Sequence, residues 1–464
     1  MKAIGKNFVC EKSFGRDSTL LTVKLETPDP VFLFEHLASM DVLKIVGGLP
    51  LEGRVQIDGA KNSALPVMAA TLAVSGTSQL QAIPNLVDVN TMELLLQELG
   101  VQVERKLNCL QISSDQSTGF KADWELMRRM RAGICVLGPL LARFGRAVVS
   151  LPGGCNIGHR PVDLHLQGLA ALGADVRIEQ GFVVAECDQL RGSEIDLAGP
   201  SGSTVTGTCN VMVAASLAKG KTLIHNAAQE PEVVDLGRYL NACGANITGL
   251  GSSTIEIIGT EELQGQSYQI IPDRIEAATF AIAAAATRSN ITLDGCQADH
   301  MTAVLNALRQ MGVSIGIRRG DTSDELTING TGPLVGIDIV ATPYPGIPTD
   351  TQAQLMALQT TIEGTNRITD TVFPDRTLHA SELMRMGASI VREESQMVVH
   401  GGRRLSGAHV MASDLRASAA LVIAALTAAG ETVVHRIYHL DRGYCKLESK
   451  LRGLNANIRR NRDD

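Results

Sequence analysis

The sequence predicts an α/β protein assembled from six repeats of about 70 residues, disposed as two domains of three. Three observations carry that expectation. A helix end, a glycine or asparagine and a β-branched strand start recur together six times. An alanine-rich helix running through a turn into a short strand also recurs six times. The two markers alternate along the chain.

The first marker is ELGVQV at Gly100, ALGADV at Gly173, ACGANI at Gly244, QMGVSI at Gly312, RMGASI at Gly387 and GLNANI at Asn455, separated by 73, 71, 68, 75 and 68 residues. Gly or Asn just past a helix suits a left-handed C-cap, so Asn455 keeps the geometry of the five glycines. The second marker is AATLAVSGTSQLQ, LLARFGRAVVSL, AASLAKGKTLIHN, AIAAAATRSNITLDG, QTTIEGTNRITD and LTAAGETVVHRIY. Each unit therefore reads helix, strand, loop, helix, strand. Alanine-rich helices are small on every face, which suits burial inside a ring of sheets. Each loop between the second marker's strand and the next helix falls at the same place in its unit, so three units per domain bring such loops together from two sides.

Composition narrows the function classes. The 464 residues are 44% hydrophobic and 20% charged, an ordinary globular balance, with a net charge of −7. No global field draws nucleic acid or an acidic membrane, and 3% aromatic content leaves few stacking platforms. An anionic ligand must be held by local convergence of basic side chains. Nine cysteines without a CxxC pair or close Cys/His spacing argue against a disulfide framework or a zinc site and favour a reducing cytoplasm. The longest apolar runs, such as AALVIAALTAA at 419–429, are short and core-like. Residues 1–43 lack the apolar run and cleavage site of a secretory signal, and their role is not legible.

The reactive residues cluster in the loops. LPGGCNIGHRPVDLH (151–165) sets Cys155 among Gly153, Gly154 and Gly158, then Arg160 and Pro161 at a helix mouth, where backbone N–H groups favour an anion. A movable thiol beside positive charge reads as catalytic, against the alternative of a buried apolar cysteine. GAKNSALP carries Lys61 and Asn62 at a helix start, and MRRMRAGICVLGP carries Arg128, Arg129 and Arg131. IPTDTQAQL places Asp350, FPDRTLH places Arg376, SDLRASAAL places Asp414 and Arg416, and YHLDRGYCKLE places Asp441 and Arg442. For the three aspartates the alternative is an N-cap. Arg416, entering an apolar helix, needs a partner or a ligand. His159 and His165 read as surface or capping side chains. One lysine and several arginines at loop–helix junctions suit a small ligand bearing carboxylate and phosphate. GxGxxG after a strand and GxxxxGK[ST] are both absent, and no metal-ligand cluster appears.

Taken together, GAKNSALP, MRAG-I-LGPLLARFG, LPGGC-IG-RPVDLH, PDRIE at 272–276, PTD-QAQ, DLRAS and IYH-DRGY resemble the enolpyruvyl transferase family over about residues 44–462. They resemble its branch that acts on a UDP-sugar at the opening of bacterial peptidoglycan synthesis. The shikimate-pathway branch shares the sixfold architecture but lacks the cysteine loop. The resemblance implies a two-domain inside-out α/β barrel of six βαβαββ-type repeats. One domain takes residues 44–60 with 272–464 and the other 61–271, behind an extension at 1–43.

It further implies transfer of the enolpyruvyl group of phosphoenolpyruvate to the 3-hydroxyl of UDP-N-acetylglucosamine, without metal or organic cofactor. Neither nucleic acid nor membrane is an expected partner, and the oligomeric state is open. By the same resemblance Cys155 is the proton donor, able to form an adduct with phosphoenolpyruvate, and Asp350 is the base at the sugar hydroxyl. Lys61, Arg160 and Arg442 surround the phosphate and carboxylate, and Asn62 is a substrate-contacting amide. Arg131, Arg160, Pro161, Val162, Asp163, Leu164 and Val372 match nucleotide-sugar contacts, with Thr204 and Val205 in GSTVTG more loosely aligned. Asp414 and Arg416 match cleft-facing positions, and Arg376 joins the substrate-binding set. His159 and Asn156 depart from the family pattern without removing a reacting group.

Overall fold

The computed structural model describes residues 41–153, 162–200 and 202–462. Among the described residues the strands are divided among six four-stranded sheets and one two-stranded ribbon, and do not close into a single barrel. Every four-stranded sheet has one parallel pair at an edge followed by two antiparallel pairs. The same order holds in the sheets built on Asn290–Cys296, Gly364–Asp370 and Glu431–His435.

The second marker forms a helix and strand in each instance: Lys61–Ala70 with Thr77–Gln81, Leu137–Phe144 with Arg146–Ser150, Val205–Ser216 with Lys221–His225, Arg274–Ala286 with Asn290–Cys296, Thr349–Thr360 with Gly364–Asp370, and Leu415–Thr427 with Glu431–His435. At the first marker Gly100, Gly173, Gly244, Gly312, Gly387 and Asn455 all have positive φ, between 69° and 106°. There a residue with little or no Cβ penalty lets the helix end and the chain turn into the next strand.

Residue periodicity misses two strands in each unit. One is the return strand of the hairpin, such as Cys109–Ser113 beside Gln102–Lys106. The other is the parallel edge strand, short and sometimes distant in sequence: Ser267–Gln269 pairs with Thr77–Gln81, and Glu52–Gln56 with Asn290–Cys296. Segments of two to six residues carry too few residues to show clear alternation, and their partners are known only once the chain has folded.

The alanine-rich helices are interior. All thirteen residues of Arg274–Ala286 are buried, as are nine of the ten in Lys61–Ala70. Burial on every side leaves no polar stripe, so small side chains let helices and sheets approach from all directions. Arg274–Ala286, Thr349–Thr360 and Leu415–Thr427 pack on one another, while Lys61–Ala70 and Leu137–Phe144 both pack on Val205–Ser216. The buried apolar residues form two clusters, one from Leu43–Ile57 with Ala277–Ile458 and the other from Ala64–Ile270.

Two chain segments pass between those clusters side by side. Ala60 N donates to Ile271 O at 2.8 Å and Asp273 N to Asp58 O at 2.8 Å, with Gly59 opposite Pro272. Lys450 clamps them from outside: its Nζ lies 2.9 Å from Asp58 Oδ2 and 2.6 Å from Glu276 Oε1. Among the described residues no helix is long and apolar enough to cross a membrane.

Candidate active site

The crossing segments place the first site helix. Asp273 caps Arg274–Ala286 by accepting from Ile275 N at 2.8 Å and Glu276 N at 3.0 Å, and its other oxygen accepts from Lys61 N at 3.3 Å. One carboxylate thus starts two helices and fixes Lys61 and Asn62 beside the crossing. Lys61 is buried and its Nζ meets Asp88 Oδ2 at 3.2 Å. The other oxygen of Asp88 accepts from Arg442 Nε at 2.8 Å. Asp88 lies in the first turn of Val87–Glu98 and Arg442 ends the 3₁₀ turn Ile437–Arg442.

Asp350 is the second junction. It is the second residue of Thr349–Thr360, whose flanking residue is Pro348, so it does not cap that helix, contrary to the N-cap alternative. Its Oδ1 accepts from Arg376 Nη1 at 2.9 Å, and its Oδ2 from Arg416 Nη2 at 3.1 Å and Asn62 Nδ2 at 3.5 Å. Burial would push the Asp350 carboxyl up, but the charges of Arg416, Arg376 and Lys61 hold it well below the usual carboxylate range. Asp350 is therefore an ionised acceptor at neutral pH.

Asp414 does cap its helix, accepting from Arg416 N at 2.9 Å and Ala417 N at 3.2 Å, and also takes Arg376 Nη2 at 3.3 Å. Burial opposes its charge, yet Arg376 and the two helix N–H groups keep it below the ordinary value. Arg416, with 1% of its side chain exposed, has its guanidinium 5.3 Å from the Tyr444 ring centre. This answers the sequence question about an arginine entering an apolar helix. Its partner is Asp350, 66 residues away.

Lys61, Asn62, Asp350, Arg376, Asp414, Arg416 and Arg442 are thus drawn together with Asp88 into one region. Val372 borders it: its N–H binds Asp370 Oδ1 at 2.9 Å, while Asp370 Oδ2 takes Thr349 Oγ1 at 2.5 Å, next to Asp350. Arg131 opens the 3₁₀ turn Arg131–Val136 and is half-buried. Val162 precedes the Asp163–Ala171 helix, in which Asp163 and Leu164 are the first two residues. Thr204 caps Val205–Ser216, accepting from Gly207 N at 3.2 Å. Cys155, Arg160 and Pro161, with Asn156 and His159, lie outside the described residues.

Two further expectations are corrected. His165 is not a surface side chain. It is buried between helices, with Nδ1 2.8 Å from Asn210 Nδ2 and Nε2 3.1 Å from Thr206 Oγ1. Asp441 is not an N-cap either, because both its oxygens bind Arg460, at 3.0 and 2.6 Å. Sequence reasoning missed Asp88 and Asp273. Asp88 carried a usable signal, since it follows a second-marker strand at the loop-to-helix position where the other charged residues gather.

The family model for EPSP synthase (3-phosphoshikimate 1-carboxyvinyltransferase) matches residues 45–451. Among solved structures, the enolpyruvyl transferase NikO from Streptomyces tendae superposes with a TM-score of 0.82 at 25% identity, over 91% of this chain and 99% of that one. EPSP synthase from Acinetobacter baumannii shares the fold, with a TM-score of 0.69 at 19% identity, over 91% of this chain and all of that one. The chain belongs to the enolpyruvyl transferase family and is an enzyme, a transferase. Within that family it is 50% identical to the UDP-N-acetylglucosamine 1-carboxyvinyltransferases of Methylacidiphilum infernorum, over 421 residues, and Sorangium cellulosum, over 423. In both cases 91% of this chain and 99% of the relative are covered.

Proposed function

We propose that the enzyme transfers the enolpyruvyl group of phosphoenolpyruvate to the 3-hydroxyl of UDP-N-acetylglucosamine and releases phosphate. One observation carries this reading beyond the relatives' names. An ionised Asp350 and the cations Lys61, Arg376, Arg416 and Arg442 come from five separate segments into one region. That is the equipment for a polyanionic substrate and a hydroxyl nucleophile.

In the forward addition the sugar oxygen bonds to C2 of phosphoenolpyruvate while its proton passes to Asp350 and a proton is added at C3. In the elimination C3 loses a proton, the C2–O bond to phosphate breaks, and the enol ether forms. Asp350 is oriented by its two arginines and ionised before substrate arrives, although the same charges weaken it as a base. Lys61 and Arg442 stabilise the phosphate as negative charge moves onto it. Cys155 supplies the proton at C3 and Arg160 adds a further cation, both on the strength of their match to the family motif. Arg131, the run Arg160–Leu164, Thr204, Val205 and Val372 hold the nucleotide-sugar.

The same reading organises the chain as two lobes, 44–60 with 272–464 and 61–271, each an inside-out barrel of three βαβαββ-type repeats. The two apolar clusters and the common pairing order of six sheets support it. The deciding experiment is a phosphate-release assay with each substrate omitted in turn. Release should require both phosphoenolpyruvate and UDP-N-acetylglucosamine. Release driven instead by shikimate 3-phosphate would overturn the assignment of the acceptor.

A further inference from the structure

Asp88 stands out because it has no reacting atom to serve, yet it binds both cations assigned above to the phosphate. Its two oxygens are divided between them, Oδ2 to Lys61 Nζ at 3.2 Å and Oδ1 to Arg442 Nε at 2.8 Å. Only 5% of its side chain is exposed, against 10% for Lys61 and 18% for Arg442. The three residues come from distant parts of the chain: Asp88 is 27 positions from Lys61 and 354 from Arg442. Helix placement alone would not bring a lysine and an arginine so close, because their like charges repel in a region screened from water. A carboxylate between them removes that repulsion and gives each cation one anionic oxygen, as two oxygens of one phosphate would.

We infer that Asp88 is a positioning residue that occupies the phosphate's place on Lys61 and Arg442, holding both cations ready and competing with phosphate for them. Substrate binding then exchanges one anion for another. Product release runs the exchange in reverse, with Asp88 reclaiming the cations as inorganic phosphate leaves. The cations are thereby kept from holding the product too tightly, at some cost in ground-state affinity. This inference rests on the proposed assignment of Lys61 and Arg442 to the phosphate, and the test separates the two.

The probe is inorganic phosphate, titrated as a product inhibitor and by calorimetry against wild type, Asp88→Asn, Asp88→Glu and Lys61→Ala. Asp88→Asn should bind phosphate at least tenfold more tightly and lower kcat through slower phosphate release, with UDP-N-acetylglucosamine affinity unchanged. Asp88→Glu keeps the charge and should stay within threefold of wild type. A purely structural role predicts the opposite sign, namely weaker phosphate binding in Asp88→Asn, and that result overturns the inference. Should the asparagine variant not fold, Asp88→Ser carries the same expectation. Phosphate affinity that falls in Lys61→Ala but is unmoved in Asp88→Asn sinks the inference and leaves the site assignment standing. Affinity unmoved in Lys61→Ala sinks the site assignment itself.

Discussion

The side chains of Asn62 and Asp350 meet at 3.5 Å although 288 residues separate them. Asn62 is the second residue of the helix that leads away from the crossing segments, and Asp350 lies in the first turn of a helix belonging to the other apolar cluster. Neither has a functional meaning alone. Together they set an amide beside an ionised carboxylate that two buried arginines already orient.

Asp350→Asn keeps the shape of the side chain but removes the proposed base. Turnover should fall by about 10²- to 10⁴-fold, the range of a lost general base. Asp350→Asn and Asp350→Ala should both also destabilise the fold by about 3–5 kcal/mol, because Arg416 and Arg376 lose a shared counter-charge in a buried setting. Steady-state kinetics and urea denaturation read the two effects separately. Full activity in Asp350→Asn would remove it from the mechanism.

Gly59 lies in one of the crossing segments, opposite Pro272, with Ala82 packed against it. A Cβ added there would stand 1.9 Å from the backbone oxygen of Ala82, which is not a flexible neighbour able to yield. Gly59→Ala should therefore cost about 1–3 kcal/mol, measured as a lowered urea midpoint. A variant as stable as wild type would mean that the crossing relaxes freely.

The Lys450 clamp predicts a pH dependence. Burial raises the Glu276 carboxyl to about 7, opposed by Lys450, whereas an unfolded glutamate titrates near about 4.3. Between those values the native state holds a proton that the unfolded state does not, so this group's contribution to stability declines as pH rises from about 4 to 7. Asp350 works in the opposite sense. Its depressed carboxyl contributes fully above about pH 4 and loses that contribution as pH falls further. Urea midpoints from pH 5 to 8 should show the Glu276 slope in wild type and a flatter line in Glu276→Gln. An unchanged slope would show that Glu276 is ionised throughout.

Cys155→Ser should lose most turnover while leaving nucleotide-sugar affinity nearly unchanged. Fosfomycin, an epoxide that alkylates the family's loop thiol, should inactivate wild type and spare the variant. Equal loss of binding and turnover in Cys155→Ser would make the thiol structural.

The linear chain carried much of the fold. Six helix ends closed by Gly or Asn, and six alanine-rich helices running into strands, are local signals, because a left-handed turn and a small helix surface are demanded by neighbouring residues. The edge strands Ser267–Gln269 and Glu52–Gln56 were not legible, since each is defined by a partner far along the chain. Site residues divided in the same way. Lys61, Asn62, Arg376, Asp414, Arg416 and Arg442 were nameable from motif and position, and so was Asp350. Their pairing was not, because ion pairs depend on which loops converge. Asp414 shows the boundary, being at once a helix cap that sequence suggests and a partner of Arg376 that it does not. By itself the sequence determined the repeat, the helix ends and the family to which the reactive residues belong, since these follow from short-range sterics and motif. Only the tertiary structure decided that Asp88 spans Lys61 and Arg442 and that Asp350 is held ionised by Arg376 and Arg416, because Coulomb interactions and desolvation act through space rather than along the chain.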